Sequence, residues 1–210
     1  MLEDQQTSSG GTRRTQQERS EAARARLLGA AIELICEVGV AHTTLAEVAS
    51  RAGFTRGAIQ HHFAGRDELV LAIIQHVETE ILESFDAVPP REDAELGPRV
   101  DFLIDLLGEI CRRPAYLAVV NIWLAARFSA QLDEEVRKSM LRSSDAFKRL
   151  WLRMFADDVP PEAIDDCRRV VITLMRGIVV SQVLIANLQT TRQTLETCKT
   201  MVKEHMLRNK

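Results

Sequence analysis

Residues 53–69 read GFTRGAIQHHFAGRDEL, and the fold turns on how this stretch divides. Gly53 closes the segment before it and Ala64-Gly65 closes the one after, which leaves room for one short helix over about 56–63. Ile59 and Phe63 stand one turn apart and, with Ala58, form its apolar face. Thr55, Arg56, Gly57, Gln60 and His61 fall on the opposite, polar face. One side of such a helix holds a protein core while the other is free to meet a partner.

Working outward, Thr44-Leu-Ala-Glu47 is a capping box, followed by Leu45, Val48, Ala49 and Ala52 at i, i+3, i+4 and i+7. A second box, Thr15-Gln-Gln-Glu18, opens an earlier helix in which Leu27, Ala31, Leu34, Ile35 and Val38 recur until Gly39 stops it. Downstream, a longer helix is expected over about 66–85. Two short helices joined by a tight glycine turn, packed on a preceding helix, form a helix-turn-helix. The polar face of the second would then enter a major groove and reach base edges and phosphates.

His61 and His62 are adjacent, and successive helical residues point about 100° apart. They are therefore poorly placed to share a metal ion, and no His or carboxylate follows four residues on within the short helix. Gly57 costs roughly 1 kcal/mol of helix stability relative to Ala; either a close backbone approach to DNA or fraying near the helix start accounts for it. Arg66 lies in the first turn of a helix, where the dipole disfavours a cation. A bound phosphate would satisfy both the arginine and the exposed amides, and pairing with Asp67 or Glu68 is the alternative.

The 210 residues suit one large domain or two small ones, and 5% aromatics with six prolines and ten glycines suit an all-α chain. The net charge of −3 is unevenly spread. Residues 10–66 hold eight arginines against five glutamates, and residues 67–98 hold one arginine against nine acidic residues. A basic head on an acidic neck permits local binding of a polyanion. Cys36, Cys111, Cys167 and Cys198 form no C-x-x-C and read as buried thiols in a reducing compartment. No apolar run reaches the roughly 18 residues that span a bilayer, and the N-terminus has no signal-peptide core, so a soluble, cytoplasmic protein is expected.

Residues 1–15 are polar and expected to form a disordered arm. A Pro-rich acidic loop is expected over 88–98. Helices follow over about 99–112, 115–130, 133–156, 161–188 and 191–208, with Pro114 and Pro161 placed where a helix start tolerates proline. No G-x-S-x-G, P-loop, H-E-x-x-H or dinucleotide fingerprint occurs. Neither an enzyme nor a cofactor or metal site is expected, and the His76/Glu80 pair reads as a solvated helix face.

The run TTLAEVASRAGFTRGAIQHHFAGRDELV, within about residues 20–70, resembles the DNA-binding head of TetR-family (tetracycline-repressor-like) transcriptional regulators. The shared elements are the capped second helix, Ala49, Ala52-Gly53, Gly57, Ile59, the HHF at 61–63, and then a basic residue and EL. One departure is Gln60, where the family usually has a tyrosine; Gln can donate to a phosphate or bond adenine. The resemblance implies an all-α fold with an N-terminal three-helix helix-turn-helix head (16–66) on a C-terminal ligand-binding and dimerisation bundle (67–210), joined by a connecting helix at about 66–85. It implies DNA contacts from Thr44, Thr55, Arg56, Gly57, Gln60, His61, His62 and Arg66, with His62 alternatively half-buried against the first helix.

The resemblance also implies a ligand cavity in the bundle. The aromatics Phe102, Tyr116, Trp123, Phe128, Phe147 and Trp151, with Met140, are its candidate walls, and Asn121, Arg127 and Arg176 its candidate polar groups; plain core packing or interhelical pairing is the alternative for each. The last two helices resemble the family's dimer interface, with Val170, Val171, Leu174, Ile178, Leu195, Cys198 and Val202 as its apolar surface. The expected function is a homodimeric, ligand-responsive repressor of a palindromic DNA operator, released by a small-molecule effector. The alternative is a DNA-binding regulator controlled by a protein partner.

Overall fold

The computed structural model describes residues 15–89, 95–126, 130–185 and 188–210. Residues 1–14 of the expected arm, 90–94 of the acidic loop, and the pocket candidates Arg127 and Phe128 lie outside the described residues. The described chain is helical, with no strand among those residues. The head comprises α1 (Gln16–Val38), a 3-10 turn (Val40–His42), α2 (Leu45–Ala52) and α3 (Arg56–Gln60). The long α4 (Arg66–Asp86) leads to α5 (Leu96–Arg112), α6 (Pro114–Ala126), α7 (Ala130–Phe155), α8 (Pro161–Ile185) and α9 (Leu188–Arg208).

Local chemistry sets these boundaries. In both capping boxes the bonds run both ways: Thr15 Oγ1 accepts from the Glu18 amide at 3.2 Å, and Glu18 Oε2 accepts from the Thr15 amide at 2.7 Å. Thr44 and Glu47 repeat the pattern at 3.3 and 3.1 Å. Each such cap stabilises its helix by about 1 kcal/mol. Gly53 ends α2 with φ +74°, a left-handed conformation that glycine adopts without steric penalty.

Three boundaries differ from the sequence expectation. The 3-10 turn at Val40–His42 is too short to show a period, yet it buries Val40. The helix expected over 56–63 stops at Gln60, because the His61 and His62 amides bond only three residues back, to Ala58 and Ile59 at 3.3 and 2.9 Å. This tightening still carries Phe63 into the core, where it is 1% exposed. Helix α5 begins at Leu96, inside the loop expected over 88–98. Pro98 is tolerated there because the first amides of a helix have no intrahelical partner.

Two clusters of buried residues fill the chain. One joins α1, α2, Ile59, Phe63 and the first half of α4 to Ala118, Val119 and Ile122 of α6 and Val136 of α7. The other runs from Phe85 of α4 through α5 to α9 and is centred on Phe147, Trp151 and Phe155. Helix α4 thus has its N-terminal half in the first cluster and its C-terminal end in the second. Among the described residues no helix is long and apolar enough to cross a membrane.

The stripe expected on the outside of α8 and α9 is mostly turned inward. Val171, Ile178, Leu195, Cys198 and Val202 are buried within the protomer, since α8 and α9 pack on each other and on α5. Val170 is exposed and Leu174 half-buried; Met201, with 60% exposure, joins them on the outer face. Of the four thiols, Cys111, Cys167 and Cys198 are buried, whereas Cys36 is half-buried with its Sγ 3.3 Å from the Pro114 carbonyl oxygen.

Candidate nucleic-acid interface and effector cavity

Helix α3 is pinned at both ends and bare on one side. Thr55 caps it, its Oγ1 accepting from the Ala58 amide at 3.2 Å, while Ile59 and Phe63 are buried beneath it. Thr55, Arg56, Gly57, Gln60 and His61 are exposed, as is Thr44 at the start of α2. His62 is half-buried, its ring 6.4 Å from that of Phe63. A Cβ placed on Gly57 would meet nothing nearer than Thr55 Oγ1 at 4.0 Å, so nothing within the protein requires glycine there.

The arginines of the head are mostly occupied. Arg24 lies 4.7 Å above the Phe63 ring and Arg26 lies 4.8 Å above Phe54; Arg26 also donates to the Ala52 carbonyl at 2.7 Å. Arg51 grips Glu37 with two bonds of 2.7 and 2.6 Å and holds that carboxyl below its usual range. Arg66 reaches back to the Val40 carbonyl at 2.5 Å, tying α4 to the 3-10 turn. It pairs with neither Asp67 nor Glu68, and Glu68 instead accepts from the Ala64 amide at 2.6 Å. Arg56 differs: among the described residues it has no hydrogen-bond or ionic partner.

A cavity opens between α4, α5, α6, α7 and α8. Its apolar wall includes Ile74, Val77, Leu107 and Phe147, around a cavity of about 60 Å³. Tyr116, Trp123, Phe147 and Arg176 are in the wall. Phe102, Asn121, Met140 and Trp151 are not: Asn121 donates to the Leu117 carbonyl of its own helix at 3.0 Å, and Trp151 is fully buried. Met140 lines a separate outer groove, which shares Trp123 and Arg176 with the cavity.

Four polar wall residues, Glu78, Ser139, Ser143 and Ser144, escaped the sequence reading. Glu78, 7% exposed, accepts from Ser139 Oγ at 2.9 Å and from Arg142 Nε and Nη2 at 2.7 and 2.9 Å. The signal for Glu78 was present in the sequence: it lies four residues after Ile74 and three before Ile81, a charge inside an apolar stripe. The Arg176 guanidinium lies over the Trp123 ring, 5.6 Å from its centre. The buried Arg176 Nε and Trp123 Nε1 have no hydrogen-bond partner. Burial pushes the Tyr116 hydroxyl well above its usual range, Cys111 adds to this, and Arg176 works against it.

Residues 27–73 match the family profile described as bacterial regulatory proteins, tetR family. The HTH-type transcriptional regulator CymR of Pseudomonas putida is 27% identical over 172 residues, 80% of this chain and 83% of CymR. TtgR, also an HTH-type transcriptional regulator of Pseudomonas putida, is 42% identical over 109 residues, 52% of this chain and 46% of TtgR. Among solved structures, Salmonella enterica GusR matches with a TM-score of 0.68 and 22% identity, covering 91% of this chain and 97% of that one. Over residues 27–73 the chain is similar to TetR-family regulators. It is similar in fold to FadR of Bacillus subtilis, solved with stearoyl-CoA, with a TM-score of 0.63 and 14% identity over 83% of this chain and 96% of that one.

Helices α2 and α3 lie inside the 27–73 match. The departure at Gln60 sits on the exposed face next to His61. Its amide can donate and accept at once, which a tyrosine hydroxyl does with a single oxygen.

Proposed function

We propose that the protein is a ligand-responsive repressor that binds a palindromic operator as a dimer and is released by a small molecule held in the cavity. The observation that carries this reading is the span of α4. Its first residue, Arg66, is bonded to the head at Val40, and its later residues Ile74, Val77, Glu78 and Ile81 are cavity wall. One rigid element thus touches both sites, and a ligand that favours one setting of α4 biases the head.

Arg56 and Arg66, with Thr44, Thr55, Gln60, His61 and His62, supply backbone and base contacts in this reading, and Gly57 lets α3 lie close to the DNA. Two heads are needed because one short helix reads few bases; a two-fold dimer presents them to half-sites about 34–36 Å apart or a multiple of this. Val170, Leu174 and Met201 on the outer face of α8 and α9 fit the dimer contact. Control by a protein partner is the second reading.

The test is to incubate the purified protein with sheared DNA of its own genome in moderate salt and sequence what is retained. Enrichment of a few palindromic sites supports the proposal. Small molecules that lower the affinity for those sites must themselves bind more weakly when the sites are occupied, by the same factor. Uniform, salt-labile retention overturns the operator reading, and site-specific retention that no small molecule alters favours control by a partner.

A further inference from the structure

Resting on the effector reading above, we infer that the cavity takes a compact apolar molecule ending in an oxyanion such as a carboxylate, with Arg176 as the cation that receives it. The charges on the wall lead to this. Its titratable members are Glu78, Cys111, Tyr116 and Arg176. Glu78 is matched by the two-bond grip of Arg142 and by Ser139. Burial pushes the Cys111 thiol up to about 12 and the Tyr116 hydroxyl higher still, so both are neutral. Arg176 is left as the unmatched charge, since among the described residues no carboxylate pairs with it.

The donors point the same way. A buried N–H without an acceptor is unfavourable, and two meet at this place: Arg176 Nε and Trp123 Nε1. They belong to neighbouring side chains, the guanidinium carbon lying 5.6 Å from the centre of the indole ring, so both donors sit at the same end of the cavity wall. Tyr116 is packed against Trp123, ring centroids 6.1 Å apart, and adds a neutral hydroxyl. Apart from Ser143 and Ser144 the remaining wall is apolar, which suits a hydrocarbon body. Arg176 and Trp123 also border the outer groove, where Asp133 and Arg137 are the charged neighbours. A cationic ligand would meet the unmatched Arg176 and a Glu78 already neutralised.

The test compares matched probes by calorimetry: benzoate, benzyl alcohol and benzylamine, and octanoate, octanol and octylamine. In at least one series the acid is expected to bind tenfold or more tightly than the alcohol, and the amine not at all. Arg176→Met should bring the acid down to the level of the alcohol, while Arg176→Lys should keep part of the preference. Should the Met variant not fold, the Lys variant and the wild-type comparison decide. An alcohol bound as tightly as its acid, a preferred amine, an acid preference that survives Arg176→Met, or no binding of any probe overturns the inference. The effector reading fails separately, if a probe fills the cavity but leaves operator affinity unchanged.

Discussion

Arg142 and Glu78 are joined across the α4–α7 contact by two hydrogen bonds, Nε to Oε1 at 2.7 Å and Nη2 to Oε2 at 2.9 Å. The partners are unequal: Glu78 is 7% exposed and Arg142 53%. Removing the arginine leaves a buried carboxylate with Ser139 alone, whereas neutralising the glutamate leaves a solvated arginine. A fully buried pair loses about 3–5 kcal/mol when one partner is removed; the exposure of Arg142 reduces this to about 1–2 kcal/mol. Arg142→Ala should therefore destabilise more than Glu78→Gln in urea unfolding. Equal losses would show that the carboxylate is already hydrated.

Gly53 and Gly57 lie four residues apart and should respond oppositely to alanine. Gly53 has φ +74°, with Arg26 Nη2 3.2 Å from any added Cβ. Gly53→Ala should destabilise by about 1–2 kcal/mol, from left-handed strain. Gly57 has open space around it, so Gly57→Ala should leave the melting temperature unchanged or raise it. It should also weaken operator binding tenfold or more if α3 lies against the DNA. Unaltered DNA binding by Gly57→Ala would remove the close-approach reading and leave Gly57 as a consequence of fraying at the helix start.

The head was legible in the sequence because its signals are local. Thr15, Thr44, Gly39 and Gly53 set helix ends through bonds within four residues, and Ile59 and Phe63 fix the face of α3 by spacing alone. The outer helices were less so. Helix α8 is apolar on more than one side, and spacing cannot say that Val171 and Ile178 face the protomer interior while Val170 faces out. Phe147 and Trp151 likewise share one stripe, yet only Phe147 lines the cavity, because packing between helices places the void. The pairing of Arg66 with Asp67 or Glu68 fails for the same reason: its acceptor within the protein, the Val40 carbonyl, is 26 positions away.

Arg56 and Arg51 separate DNA contact from structure. Arg56 has no partner among the described residues, so Arg56→Ala should alter stability by less than about 0.5 kcal/mol. It should reduce the salt slope of operator binding by about 1. Arg51→Ala removes the exposed pair with Glu37 and should cost little stability, since water screens such a pair, with the salt slope unchanged. Filter binding across a salt series measures both slopes. An unchanged slope for Arg56→Ala would place that arginine away from phosphate.

Stability at low pH should depend on Asp158. The Arg99 guanidinium, and then Lys210, hold its carboxyl below its ordinary value of 3.8, and Arg99 is itself buried, donating also to the Met154 carbonyl at 2.7 Å. A carboxyl whose pKa is lowered on folding stabilises the fold fully above its unfolded value, and this contribution is lost as pH falls through the folded value. Asp158→Asn should accordingly destabilise at neutral pH, by about 2 kcal/mol, since it leaves Arg99 buried without its counter-charge. Below about pH 3.8 the gap between the two proteins should close, because the wild-type carboxyl is then becoming protonated as well. Urea midpoints at pH 7, 5, 4 and 3 follow this directly. A gap that stays constant down to pH 3 would mean that the charge on Asp158 does not stabilise the fold and that only its hydrogen bonds do.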